Sequence, residues 1–159
     1  QSQQKMKTFE DSLDQYFAYL KCYHPNSIPR VKKDICQTLY YNPLLVPGYA
    51  PLRTPKGSSN QQVIYIHGAI QIQYYNNVYN IPLQIYVPPT YPSVPPCCFV
   101  VPNQNILIKP RHKFCDTNGI VYHPILSQWN PQFCIAQLVV EVAKAFSADP
   151  PIMAATVKQ

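Results

Sequence analysis

The chain has 159 residues, of which 47% are hydrophobic and 13% charged, with a formal net charge of +6. That length suits one domain whose core needs neither disulfides nor metal, and no apolar run approaches the about 18 residues of a membrane span. The basic clusters Arg30, Lys32, Lys33 and Lys109, Arg111, Lys113 lack the spaced aromatics and glycines of a nucleic-acid motif; they read as solvated surface, with acidic membranes or acidic partners as the alternative, and nucleic acid and membrane insertion are excluded.

Thr8 and Asp11 form a candidate cap, after which Phe9, Leu13, Tyr16, Phe17 and Leu20 recur at helical spacing and predict a first helix to about Tyr23. Pro25 breaks it. Ser27 and Pro29 open a second helix with Ile28, Val31, Ile35 and Leu39 on one face, ended by Pro43. From Leu44 to Asn60 the composition predicts a strand and a long exposed loop. Ile64, Ile66, Gly68, Ile70, Ile72 and Tyr74 then alternate with polar partners, as do Tyr79, Ile81, Leu83, Ile85 and Val87. These read as an antiparallel hairpin turning at Asn76-Asn77.

Five prolines between Pro88 and Pro96 exclude a central strand. A buried strand resumes at Cys97–Val101 and a short extended piece follows at Ile106–Ile108. Asn130-Pro131 predicts the start of a long helix striped by Ile135, Leu138, Val139, Val142, Ala143 and Phe146, and Pro150-Pro151 stop it. The order implies an α+β fold, an antiparallel sheet meander packed on two N-terminal helices and a long C-terminal one. The chain reads as a single domain over 1–159, with a core at about 8–151. Its start at Gln1 without a signal-like stretch marks it as an N-terminal fragment of something longer.

Six cysteines show no Cys-x-x-Cys spacing and no pairing with histidine, and no glycosylation sequon occurs. They read as reduced thiols of an intracellular protein, with no metal and no cofactor. His67 and His123 read as surface or satisfied core histidines, because neither has a metal partner at ligand spacing.

Tyr122 lies in Asn118-Gly119-Ile120-Val121-Tyr122-His123-Pro124-Ile125-Leu126-Ser127-Gln128-Trp129, a segment laid out like an active site built for cysteine. A phenol with a pKa of about 10 supplies almost no anion at neutral pH and does not serve as a reversible acyl acceptor. Together with Tyr91-Pro92-Ser93-Val94-Pro95-Pro96 and the strand through Phe99, the segment resembles a ubiquitin-conjugating domain, and more closely its inactive variant, the UEV domain of ESCRT-I subunits. The resemblance runs from the first helix to Pro151. It implies a non-catalytic, ubiquitin-conjugating-enzyme-like fold. Active members carry His-Pro-Asn starting ten residues before the cysteine; here the count back from Tyr122 meets His112, Lys113 and Phe114. Phe114 cannot donate to an oxyanion, a loss of roughly 3 kcal/mol. Cys115, the nearest thiol, reads as a small buried residue.

The resemblance also implies a groove for Pro-Thr/Ser-Ala-Pro peptides, the late-domain type. Its residues here are Ala69, Tyr74, Tyr79, Asn80, Ile106, Ile152 and Met153. Tyrosine faces suit proline rings on a peptide already near its extended shape. Ala69 replaces a usual threonine, Ile106 a methionine, and Ile152-Met153-Ala154 the usual Val-Phe-Ser; the lost aromatic wall at Met153 and the lost hydroxyl at Ala69 each weaken a peptide by about a kcal/mol. A second implied surface, for ubiquitin, uses Thr54, Lys56 and Phe99. Pro55-Lys56 stands there where Asn-Asp is usual, and Phe99 reads as plain core rather more than as contact. Trp129 is implied to pack the segment after the lost site.

These residues imply an adaptor, cytoplasmic and peripheral on endosomes, that gathers ubiquitinated cargo and joins other ESCRT-I subunits through regions not present here. Two competing readings are a role in conjugation, direct or as the UEV cofactor of an active enzyme, and a scaffold with a degenerate groove. Two helices before the sheet and the Pro150-Pro151 end argue against the cofactor type.

Overall fold

The computed structural model describes residues 2–155. Helix α1 (Ser2–Leu20) begins well before the expected cap at Thr8. Thr8 Oγ1 donates back to the Gln4 carbonyl (3.1 Å) and Asp11 pairs with Lys7 (3.1 Å), so both groups act inside the helix instead of opening it. The helix stops at Leu20, and Tyr23 becomes a core bolt. Its hydroxyl accepts from the Ile64 N–H (2.9 Å) and donates to the Val87 carbonyl (2.7 Å). Helix α2 (Ile28–Tyr41) follows the expected pattern, with Pro29 in its first turn and Val31, Ile35 and Leu39 buried.

Strands β1 (Leu45–Thr54), β2 (Gly57–Tyr74), β3 (Asn77–Tyr86) and β4 (Cys97–Val100) form an antiparallel meander in the order β1-β2-β3-β4. The long loop expected between Leu44 and Asn60 is absent: Thr54 pairs with Gly57, and β1 runs beside β2 for most of its length. Pro47 and Pro51 are tolerated because β1 is an edge strand, where a missing N–H costs no ladder bond on the open side. The β2–β3 turn is Tyr75-Asn76, one residue earlier than expected, closed by the Tyr74–Asn77 pair, with Tyr75 itself at positive φ (56°).

Two further strands, β5 (Ile106–Ile108) and β6 (Ile152–Ala154), pair with each other as a separate two-stranded sheet. Between them lie the short α3 (Pro124–Ser127) and the long α4 (Ile135–Ala148). Asn130-Pro131 does not start α4. Asn130 accepts from the Gln132 and Phe133 N–H groups (2.9 and 2.8 Å) in a turn, while Cys134 caps the helix reciprocally with Gln137.

The main core lies between one sheet face and α1, α2 and α4, through Leu13, Val31, Ile35, Ile66, Leu83, Leu138 and Phe146. A small cluster of Val63, Tyr86 and Phe99 occupies the other face. The proline-rich loop is fastened to α2 by Asp34, whose carboxylate accepts from Tyr91 Oη (2.6 Å) and Arg30 Nε (2.7 Å). Arg30 Nη2 also donates to the Phe133 carbonyl (2.6 Å), so the buried charge is fully partnered. Burial first, then the Asp34 carboxylate, pushes the Tyr91 phenol far above its usual range. Trp129 Nε1 donates to the Pro92 carbonyl (2.9 Å), and its ring packs on Tyr91 and Phe133, the structural role expected of it.

Candidate binding groove and the lost nucleophile

Tyr122 is 54% exposed, held by its own N–H donating to the Phe114 carbonyl (2.7 Å). Partial desolvation and the Asp116 carboxylate raise its phenol above the ordinary value, which makes the phenolate rarer still. Phe114 turns its ring against His123, 5.0 Å between centroids. Cys115 is only 2% exposed, and burial followed by Asp116 pushes its thiol up to about 12. No thiolate is therefore available at neutral pH. Among the described residues no cluster of His, Cys, Asp and Glu could hold a metal.

Two losses are thus independent, which gives a direct expectation. Tyr122→Cys places a thiol at an exposed position yet leaves Phe114 without a donor, so ubiquitin discharge to lysine should stay at background. Turnover within about a hundredfold of an active conjugating enzyme, read on non-reducing gels, would contradict this.

The histidines serve structure. His123 Nδ1 accepts from the Ile125 N–H (3.1 Å) and caps α3, and burial lowers its pKa. His67 stacks on Tyr65 at 4.6 Å, and burial lowers it too. His112 has 1% of its side chain exposed. Its Nδ1 accepts from the Phe114 N–H (3.0 Å), which leaves the proton on Nε2 to be donated to the Asp149 carbonyl (2.6 Å). This bond joins the old active-site segment to the chain entering β6. His112→Ala should orphan it at a cost of about 1–3 kcal/mol, read as faster hydrogen exchange at Ile152 and Met153 while the β2 amides stay protected.

The groove lies where the core face of the hairpin runs out. Ile70–Ile81 and Ile72–Tyr79 are facing pairs, and the isoleucines are buried. Continuing the alternation puts Tyr79 (39% exposed) and Tyr74 at the open end. There they meet the β5–β6 sheet, in which Leu107 faces Met153 and Ile108 faces Ile152. The resulting cavity of about 590 Å³ is lined by Tyr74, Tyr79, Asn80, Ile106, Ile152 and Met153. Six of the seven expected residues are brought together. The seventh is not: Ala69 lines a different hollow with Leu44 and Ile70, five residues up β2 from Tyr74. Val78, Asn105, Lys109, Pro150 and Ala154 complete the lining. Ala154 was already part of the expected Ile152-Met153-Ala154 stretch and Val78 neighbours Tyr79 on β3, whereas Asn105, Lys109 and Pro150 flank two three-residue strands whose pairing nothing local in the sequence marks.

At the other end of β2, Thr54 Oγ1 accepts from the Lys56 N–H (3.2 Å) and donates to the Gly57 carbonyl (3.0 Å), shaping the β1–β2 tip and leaving Lys56 exposed. Phe99 has 0% exposure, with the Arg53 guanidinium 4.0 Å above its ring and Arg53 Nη2 bonded to the Asn118 carbonyl (3.0 Å). Phe99 itself thus offers no contact surface; Arg53 does.

A ubiquitin-conjugating architecture with neither nucleophile nor oxyanion donor defines a non-catalytic variant of that enzyme class. A family model described as the UEV domain matches residues 16–154, and the chain belongs to that family. It is 36% identical over 95 residues to the human tumor susceptibility gene 101 protein, covering 59% of this chain and 24% of that one. It is 28% identical over 119 residues to the ESCRT-I complex subunit tsg101 of Dictyostelium discoideum, covering 75% and 23%. The chain thus spans about a quarter of the length of these curated relatives. Its fold is similar to that of the yeast vps23 UEV domain in complex with a vps27 PSDP peptide, with TM-score 0.70, 19% identity and coverage of 96% and 95% of the two chains. A complex of the Vps23 UEV with ubiquitin gives TM-score 0.67, 22% identity and coverage of 86% and 91%.

Proposed function

We propose that this domain is an adaptor that holds proline-containing peptides of the Pro-Thr/Ser-Ala-Pro kind in the Tyr74–Met153 groove, serving ESCRT-I-dependent sorting of ubiquitinated cargo at endosomes. The observation that carries the reading is the convergence of Tyr74, Tyr79, Asn80, Ile106, Ile152 and Met153 on one open apolar cavity. Aromatic walls take proline rings, and the Asn80 carboxamide can both donate to and accept from a peptide backbone. Membership in a non-catalytic family and likeness to ESCRT-I relatives support it.

Ubiquitin is the second ligand of this reading. Thr54 and Lys56 sit at the opposite end of the 18-residue β2 from Tyr74, so the two ligands do not compete for space. The contact would run through the tip and Arg53, with Phe99 only supporting the guanidinium. Localisation at endosomes follows from the partners; among the described residues, no helix is long and apolar enough to cross a membrane. Calorimetry tests the reading: a nine-residue Pro-Thr-Ala-Pro peptide should bind with one-site stoichiometry with ubiquitin present or absent. No heat at millimolar peptide, or full competition by ubiquitin, would refute it.

A further inference from the structure

We propose that Tyr75 and Val78, at the tip of the β2–β3 hairpin, extend the groove by one further subsite, which takes an apolar side chain flanking the proline motif of the bound peptide. The inference rests on the peptide reading above and adds a flanking contact to it. Tyr75 and Asn76 form the two-residue loop between the paired Tyr74 and Asn77, and of the two only Tyr75 stands at positive φ (56°). That is the pattern of a type II′ turn, whose first central position favours glycine. A bulky side chain there is a conformational outlier. Asparagine, which tolerates such a backbone, stands one position later instead.

Burial does not account for the tyrosine. Tyr75 is 82% exposed, more than any other large hydrophobic residue described, and Val78 across the same turn is 64% exposed. Both are tied to the groove. Val78 lines the cavity, and the Tyr75 ring stands edge-on to the ring of Tyr74, a groove wall, with centroids 4.6 Å apart and planes at 65°. The hairpin thus holds an exposed aromatic ring beside a binding wall in a backbone that resists it. Strain of this kind is typical of ligand clamps, where the side chain gains its contacts only when the ligand arrives. The stretch Tyr74–Val78 carries no charged side chain, so the tip suits an apolar partner. One ring and one branched side chain beyond the cavity offer area for a single leucine-sized group, and half desolvating it is worth about three- to tenfold in affinity.

Three nine-residue peptides test this, each built on Pro-Thr-Ala-Pro and differing only at the residues next to the motif: serine on both sides, leucine before it, or leucine after it. On the unaltered domain at least one leucine peptide should bind about three- to tenfold tighter than the serine peptide. On Tyr75→Asn that gain should fall below about twofold while the serine peptide keeps its affinity. The melting temperature of this variant should stay level or rise by about 1–4 °C, because asparagine accepts the backbone that tyrosine resists. Equal affinities of all three peptides on the unaltered domain overturn the flanking subsite and leave the peptide reading standing. A leucine gain that survives in Tyr75→Asn overturns the assignment to Tyr75. So does an equal weakening of all three peptides, which would mean that the ring only props Tyr74. A melting temperature lowered by more than about 2 °C would show that the ring stabilises the fold itself, and overturns its reading as a ligand residue. Failure of all three peptides to bind overturns the peptide reading and this inference with it.

Discussion

Gly119→Ala is expected to destabilise the domain by about 2–5 kcal/mol, a large share of the roughly 5–15 kcal/mol that holds a typical domain together. Gly119 sits at φ +88°, and a Cβ there would stand 2.1 Å from the Val100 carbonyl oxygen, so the backbone itself must move. Moving it breaks a dense set of bonds. Val100 N–H donates to the Gly119 carbonyl (2.7 Å), Gly119 N–H to the Asp116 carbonyl (2.9 Å), and Val121 N–H to the Cys98 carbonyl (3.0 Å). Asp116 Oδ1 caps the same turn by accepting from the Asn118 and Ile120 N–H groups (2.9 and 3.0 Å). The left-handed backbone costs alanine about 1–2 kcal/mol and the collision adds about 1–3 more. Thermal denaturation should show a midpoint lower by roughly 4–20 °C. A shift below about 2 °C would mean that the turn carries little of the fold.

Tyr79→Ala should weaken peptide binding about 10- to 50-fold and leave the fold intact, because an aromatic anchor at a groove centre is worth about 2 kcal/mol. The ring is 39% exposed and sits opposite Ile72, one step beyond the buried Ile70–Ile81 pair, so its removal opens no core cavity. Titration beside a melting curve separates the two effects. A weakened peptide with an unchanged melting temperature is expected; unchanged affinity would remove Tyr79 from the site.

Much of the architecture was legible because periodicity is local. The alternation from Ile64 to Val87 and the stripe from Ile135 to Phe146 each bury against one surface, and both appear where expected. Errors fell where a local signal competed with a longer one. Thr8 and Asp11 look like a cap, yet the helix runs through them because their side chains find partners within it. The prolines of β1 look like a loop, yet an edge strand needs donors on one side only. Asn130-Pro131 looks like a helix start, yet the Cys134–Gln137 cap captures that role four residues later.

The groove was legible as a set of residues and not as a shape. Strands β5 and β6 hold three residues each and lie far apart in the chain, so nothing local marks their pairing. That pairing decides which residues line the cavity, adding Lys109 and Asn105 and leaving Ala69 outside. Phe99 was ambiguous for a related reason. Hydrophobicity marks it as buried on either face, and only the fold puts Arg53 over its ring.

The central claim, that binding has replaced chemistry in this domain, is tested most directly by mapping backbone amide shifts during titration with a Pro-Thr-Ala-Pro peptide. The expected result is a set of saturable shifts at Tyr74, Tyr79, Asn80, Ile106, Ile152 and Met153, with Tyr122, Thr54 and Ala69 silent. Shifts centred on Tyr122 or Ala69, or none at millimolar peptide, would contradict the account.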